Sequence, residues 1–442
     1  FYETFGEDAK KAAQVLGITL TKRGAGSDSE TALAGFPHHS LNTYLPKLVK
    51  AGMRVAICDQ LEDPKMTKTI VKRGVTELVT PGVALNDEVL QSKTNNFLAA
   101  VHFNKKQLGI SFLDVSTGEY LVAQGNAEYI DKLLQNFNPS EVLVEKKNKQ
   151  QFFELFENRF YTFYLDDWVF QPEYAQESLQ NHFDVKSLKG FGIQDLETGI
   201  VAAGAILFYL SETQHKQLSH IQNISRIAED NYVWMDRFTV RNLELYHGTS
   251  VNSVTLLDVI DATISPMGGR LLKRWLALPL KNKTEIEKRH ETVNYLINSD
   301  DFFETVTYQI KQISDIERLI SKVATGKASP REIVLLKNSL QAILPIKEAA
   351  EKSKNPSVKQ IGKQLNDCTD LIAKISETLF DDAPVNINKG NAIASNVSQE
   401  LDDLRAISNS GKEYLDNMLA RETALTAITS LKIAFNNVFG YY

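Results

Sequence analysis

The chain has 442 residues, of which 43% are hydrophobic and 24% charged, and its formal net charge is −6. This length exceeds one ordinary core and predicts two to four domains, while the charge argues against wholesale binding to a polyanion. The apolar run "IVAAGAILFYL" (200–210) is too short to span a bilayer, and no signal-peptide pattern appears, so the reading is a protein outside the membrane.

Residues 1–82 alternate helix and strand signals. Phe1-Tyr2-Glu3 reads as strand, with Phe1 and Glu3 on one face and Tyr2 on the other. Ala9, Ala12, Ala13 and Leu16 fall at helical spacing, and Gly17 supplies a stop. Residues 18–21 read as a strand. A second helix follows, with Ser40 as N-cap and Leu41, Tyr44, Leu45 and Leu48 as its stripe. Pro46 inside that stripe predicts a kink or a later start. "RVAICDQ" and "GVTELVTPG" read as two further strands. A polar connector is expected over 83–95.

"FLAAVHFNKKQLGISFLDVSTGEYLVAQ" reads as three strands joined by tight turns, followed by helices and the strand "EVLVE". From about 228 the pattern is nearly continuous helix. Ser265 and Pro266 open one helix, with Met267, Leu271, Trp275 and Leu278 as the expected stripe. Ile316, Leu319, Ile320 and Val323 form another apolar face. Ser329, Pro330 and Glu332 spell a capping box before the stripe Ile333, Leu336, Leu340 and Leu344. The final "LKIAFNNVFGYY" alternates with period two and stops in mid-pattern, which reads as an unpartnered strand and a cut C-terminus.

Several constellations bear on function. Residues 1–82 hold 11 Lys and Arg against 9 Asp and Glu, so this segment is weakly basic in an acidic chain. Within it, "TKRG" (21–24) and "KMTKTIVKR" (65–73) combine cations with hydroxyls, the chemistry that holds backbone phosphates. In "AGFPHHS" (34–40) the adjacent histidines lack a third ligand at a fixed offset, which favours a loop against a ligand backbone over a metal site. Asp114 ends a hairpin strand, where ribonuclease-H-like nucleases place a metal-binding carboxylate. Glu119, Glu141, Asp166 and Asp167 show no spacing that compels convergence on it. The sequence contains no GxxxxGK[ST] loop, no GxGxxG after a strand, no HExxH and no GxSxG, and no catalytic residue is assigned. Cys58 and Cys368 form no paired spacing, which reads as a reducing, cytoplasmic compartment.

"FYETF", "LTKRG", "AGFPHHSLNTYLPKLVKAGMRVAICDQLEDP", "VTPGVALND", "DVSTGEY", "MDRFTVRNLEL" and "ISPMGGRLLKRWLALPL" resemble, in order, the MutS family of DNA mismatch-recognition proteins. "DIERLI", "ASPREI" and "FNNVFGYY" extend the resemblance over essentially the whole chain. It implies two small α/β domains, a mismatch-binding domain at 1–82 and a ribonuclease-H-like connector at 96–222, separated by a linker at 83–95. A mostly α-helical core/lever domain at 228–403 and the start of a clamp domain at 404–442 follow. The resemblance makes Phe1 a wedge stacked on a mispaired base and Glu3 the partner of that base. Lys22, Arg23, Lys72 and Arg73 become phosphate contacts, Leu33 a sugar contact, and Pro37, His38 and His39 lining of the groove. Mismatched double-stranded DNA is the implied ligand and a MutL-type repair protein the implied partner of the connector. The implied parent is a homodimeric, nucleoid-associated bacterial ATPase whose ATP and Mg2+ are held outside this chain, leaving the present piece a monomer without a cofactor. A metal-dependent nuclease built on Asp114 and a passive repair scaffold are the rival readings.

Overall fold

The structure, a computed structural model, describes all residues except 25, 27–29, 63–70, 86, 106, 214–216, 247, 249, 251–252, 437–439 and 442. It divides into two compact units, one of residues 1–328 with 338–367 and the other of 329–337 with 368–442.

The first unit opens with β1 (Tyr2–Phe5), α1 (Gly6–Leu16), β2 (Thr21–Arg23), β3 (Thr31–Phe36), α2 (Leu41–Lys50), β4 (Val55–Gln60) and β5 (Arg73–Val79). The strands form a three-stranded antiparallel sheet in the order β1-β3-β2 and a separate β4–β5 hairpin. Ala9, Ala12, Ala13 and Leu16 of α1 are buried, as their spacing predicts, and close approach to Ala34 and Phe36 builds the core beneath the sheet. Gly17 ends the helix at φ 67°, a left-handed conformation that glycine adopts without steric cost. Three expectations are corrected. The strand expected at 18–21 begins only at Thr21. Residues 34–36, expected in a loop, are strand, because Ala34 and Phe36 bury alternate side chains on the α1 face. The Ser40 side chain makes no capping bond, since it closes a 3-10 turn (His38–Ser40) that runs straight into α2. Helix α2 passes through the buried Pro46.

Next come β6 (Leu98–Phe103), β7 (Leu108–Asp114), β8 (Glu119–Gly125), α3 (Ala127–Phe137), β9 (Glu141–Glu145), α4 (Lys149–Phe156), β10 (Thr162–Leu165), α5 (Pro172–Phe183), α6 (Glu197–Glu212) and β11 (Ser225–Arg226). The sheet order is β10-β9-β6-β7-β8-β11, with an antiparallel β6-β7-β8 meander and β9 and β10 parallel to β6. This is ribonuclease-H-like topology. The run at 200–210 lies in α6, which packs with α5 on one face of the sheet; α3 and α4 cover the other. Gly204 lets α6 touch α5, since a Cβ there would lie 2.5 Å from the Ala175 Cα.

A buried polar knot joins the two α/β regions. Glu141 is fully buried and accepts from the Thr80 hydroxyl (2.5 Å), the Gly82 amide (3.1 Å) and the Tyr209 hydroxyl (2.6 Å). The Arg54 guanidinium stacks 3.6 Å from the Phe163 ring centroid beside it. Burial raises the Glu141 carboxyl above its ordinary value of 4.5, against the opposing pull of the three donors and Arg54. A raised acid favours the fold while protonated, so its contribution is present below 4.5 and is lost as pH rises through the folded value. Glu141→Gln is therefore expected to gain thermal stability over wild type at about pH 7 and to lose that gain near pH 4. A difference in melting temperature that stays constant between those two pH values would contradict it.

The segment expected as a polar connector begins with buried Val83, Ala84 and Leu85, and its later part is gripped by helices of the α-helical region. That region consists of α7 (Arg237–Asn242), α8 (Leu256–Ile260), α9 (Pro266–Ala277), α10 (Lys283–Ile297), α11 (Asp300–Ile310), α12 (Ile316–Ala324), α13 (Pro330–Lys352) and α14 (Pro356–Gln364). Ser265 caps α9 by accepting from the Gly268 amide, as its sequence predicts. Of the expected stripe only Leu278 is buried: Met267 is intermediate and Leu271 and Trp275 are 45% and 40% exposed, while Gly269, Arg270 and Ala277 are buried. Helix α9 turns a cationic side inward because the 91–94 segment offers it carbonyl oxygens. Arg270 Nη1 donates to the Ser92 carbonyl (2.8 Å), and Arg318 Nη2 to those of Gln91 and Thr94 (both 2.9 Å). In α12, similarly, Arg318, Leu319 and Ser321 are buried while Ile320 and Val323 are exposed.

In the second unit the Ser329–Glu332 capping box forms, with the Glu332 carboxylate accepting from the Ser329 amide (2.8 Å) and hydroxyl (2.9 Å). This unit also holds α15 (Thr369–Thr378), α16 (Gln399–Thr426), β12 (Phe435–Asn436) and β13 (Gly440–Tyr441). Strands β12 and β13 pair with each other, so the terminal stretch read as one unpartnered strand is two short ones in an antiparallel ladder. Among the described residues no helix is long and apolar enough to cross a membrane.

Candidate nucleic-acid interface

Alternation along β1 sends Phe1, Glu3 and Phe5 to solvent and Tyr2 and Thr4 inward. Phe1, the first residue of the sequence, is 82% exposed. The ladder places Glu3 opposite Gly35 and Phe5 opposite Leu33, and Leu33 opposite Thr21. Phe1, Glu3, Thr21, Leu33 and Gly35 accordingly line one open cleft, together with residues 17–19 at the end of α1. Gly35 is needed here: a Cβ would sit 2.7 Å from the Tyr2 carbonyl oxygen and 3.2 Å from the Glu3 Cγ.

The basic residues divide. Arg23 lies on the same sheet face as Phe5, its guanidinium 5.8 Å from that ring centroid. Lys22, one residue earlier, points to the opposite face and ion-pairs with Glu30, whose carboxyl is held below its ordinary value chiefly by that hydrogen bond. Lys72 pairs with Glu62 at 3.6 Å. Arg73 begins β5 opposite Gln60 on the hairpin; among the described residues no carboxylate lies within ion-pair distance of Arg23 or Arg73. Residues 65–70 of the second basic stretch lie outside the described residues. His38 and His39 are exposed on the 3-10 turn with their rings perpendicular, 5.8 Å apart, and Pro37 leads into that turn from β3. Phe1, Glu3, Leu33 and Arg23 thus share a face, Pro37 and the histidines stand at its end, and Lys22 is turned away from it.

Phe5 and Asp59 belong to this neighbourhood, and sequence reasoning missed them. Alternation from Phe1 and Glu3 would have found Phe5. Nothing local announces Asp59, which is brought in by the Tyr2 hydroxyl at 2.5 Å.

The position expected of a nuclease carboxylate is closed. Asp114 is fully buried, and its Oδ2 accepts from Asn95 Nδ2 (2.9 Å) and the Asn96 amide (3.1 Å). Its Oδ1 accepts from the Ser116 amide (2.9 Å) and hydroxyl (2.6 Å). Neighbouring Glu119 is neutralised by Arg274 of α9. Four donors on one carboxylate and a cation on the next leave nothing for a divalent ion to bind, and two-metal chemistry is not favoured. Among the described residues no three His, Cys, Asp or Glu side chains are grouped to hold a metal.

A small α/β domain with an exposed aromatic–acid edge, a ribonuclease-H-like domain without an open carboxylate site, and a helical array define the class of multidomain protein. Comparison with known sequences agrees domain by domain: family models described as MutS domain I, MutS domain II and MutS domain III match residues 1–88, 96–222 and 238–435. All 442 residues align at 69% identity with a DNA mismatch repair protein MutS of Flavobacterium johnsoniae, at 68% with that of Flavobacterium psychrophilum and at 66% with that of Christiangramia forsetii. The chain belongs to the MutS family, and it spans about half (51%) of the length of these relatives.

Proposed function

We propose that this chain recognises mismatched or unpaired bases in double-stranded DNA, with Phe1 as a wedge between bases and Glu3 as the group that meets the displaced base. The observation that carries the reading is the solvent-facing Phe1 ring, 82% exposed and aligned with Glu3 on one strand face. The names of the relatives support mismatch repair as the process. Inserting a ring costs roughly a few kcal/mol of unstacking, and base–aromatic stacking returns about 1–3 kcal/mol. A mispaired base unstacks at lower cost, so it decides the sign of a nearly balanced sum; this is readout by deformability. A carboxylate beside a base edge repels acceptors and rewards a donor, which gives Glu3 a discriminating role.

Arg23 and Arg73 are the stronger candidates for phosphate contacts, since Lys22 and Lys72 already share their charge with Glu30 and Glu62. Leu33 would meet the sugar, and Pro37, His38 and His39 the groove wall. In this reading the connector receives a MutL-type partner, and ATP and Mg2+ belong to the part of the longer, dimeric protein outside this chain, because the sequence here contains no phosphate-binding loop. The assignment is tested by titrating the chain with a mismatched and a matched duplex at stated salt; equal affinities would overturn it. Arg23→Ala is expected to weaken both duplexes alike and to reduce the salt slope by about 0.9, the value for one phosphate contact. A loss confined to mismatched DNA would make Arg23 a reader instead.

A further inference from the structure

Phe1 and Glu3 flank a residue that points the other way. The Tyr2 ring enters the core against Phe36, with centroids 6.2 Å apart, and its hydroxyl donates to Asp59 Oδ1 on β4. The other oxygen, Asp59 Oδ2, accepts from the Thr76 hydroxyl at 2.7 Å. Thr76 is the extra residue of a β-bulge: Ile57 pairs with Glu77 and Cys58 with Val75, so Thr76 has no partner across the hairpin. The bulge frees its side chain to hold Asp59 in place. Phe1 lies outside the β1–β3 ladder, which begins at Tyr2 and Phe36. Its direction therefore rests on how firmly Tyr2 is held. Successive side chains of a strand are mechanically linked, and anchoring Tyr2 by its far end fixes the local twist from which Phe1 and Glu3 project. Burial first, and Asp59 second, push the Tyr2 phenol up to about 12, which keeps it protonated as the donor. Asp59 and Gln60 pair with Gly74 and Arg73, so the same bond also ties the reader strand to the hairpin that carries Arg73.

We propose that Tyr2, through Asp59 and the bulged Thr76, is a positioning residue that aims Phe1 and Glu3 and sets their distance from the Arg73 hairpin. The inference rests on the reading of Phe1 as the wedge. Affinities for one mismatched and one matched duplex at a single salt concentration, for wild type, Tyr2→Phe, Asp59→Ala, the double variant and Phe1→Ala, test it. Tyr2→Phe keeps the buried ring and removes only the hydroxyl. It is expected to lower the mismatched-to-matched affinity ratio roughly tenfold, the scale of a hydrogen bond to a charged group, with unchanged affinity for matched DNA and an unchanged salt slope. Asp59→Ala, which also removes the bond from Thr76, should lower the ratio at least as far, and the double variant no further than Asp59→Ala alone, because both single variants remove the Tyr2–Asp59 bond. Asp59→Asn, which keeps an acceptor oxygen, should restore most of the ratio. A purely structural role would lower both duplexes together, and that result overturns the proposal. So do additive single effects, or an unchanged ratio in Tyr2→Phe when Phe1→Ala abolishes it. An unchanged ratio in Phe1→Ala removes the wedge reading itself, and this inference with it.

Discussion

Phe1→Ala is expected to abolish the preference for mismatched over matched duplex while leaving weak binding to both. The ring stands 82% exposed and outside the strand ladder, so its removal should change folding stability by less than about 0.5 kcal/mol, the usual range for surface positions. Whatever is lost on DNA is then lost from recognition. Stacking on a base is worth about 1–3 kcal/mol by alanine substitution, equivalent to roughly 5- to 150-fold in affinity for the mismatched site. The phosphate contacts proposed for Arg23 and Arg73 do not depend on the ring, so the salt dependence should persist. Titrations of the two duplexes, run beside thermal melts of both proteins, provide the check. Equal weakening on both duplexes, with intact melting, would show that the ring contributes general affinity and no discrimination.

The second large effect is structural. Arg270 is 3% exposed in its side chain and forms a two-point contact with Asp315 (2.7 and 2.8 Å), two further bonds to Glu317 Oε2 (2.6 and 3.1 Å), and one to the Ser92 carbonyl. Arg270→Ala removes both hydrogen bonds to the inward-facing Asp315 carboxylate, leaving it the looser ion pair with Arg318 at 3.8 Å, and leaves a carbonyl without its donor. Removing one partner of a buried pair costs about 3–5 kcal/mol; Glu317 is half exposed and regains water, so the lower end, about 3 kcal/mol, applies. The 91–94 segment should also loosen, and trypsin should cut after Lys93 faster than in wild type. The reference is Lys288→Ala, which removes an exposed pair with Glu285 and should cost under about 0.5 kcal/mol. An Arg270→Ala melt indistinguishable from that reference would refute the account.

The first strand, β1, illustrates what was legible. Alternation alone separates Phe1 and Glu3 from Tyr2, and the structure has Phe1 and Glu3 exposed and Tyr2 inward. The meander, α1 and its glycine stop, and the capping box at Ser329 were equally plain, because each depends on residues a few positions apart. The stripe of α9 misled for the opposite reason. Periodicity marks Leu271 and Trp275 as an apolar face, but the neighbour that decides burial is the 91–94 backbone, whose carbonyls bind Arg270 and Arg318. Lys22 and Arg23 read as one basic unit, and strand geometry sent them to opposite faces.

Local chemistry in the sequence determined the order of domains, most of the helices and strands, and the identity of the aromatic–acid edge, since these follow from spacing, caps and turns. The tertiary structure alone decided which cations face that edge, that the Asp114 carboxylate is closed by four donors, and that Tyr2 is tied to Asp59. Each of those depends on groups remote in sequence meeting at hydrogen-bond distance, a condition that only the packing of strands and helices can impose.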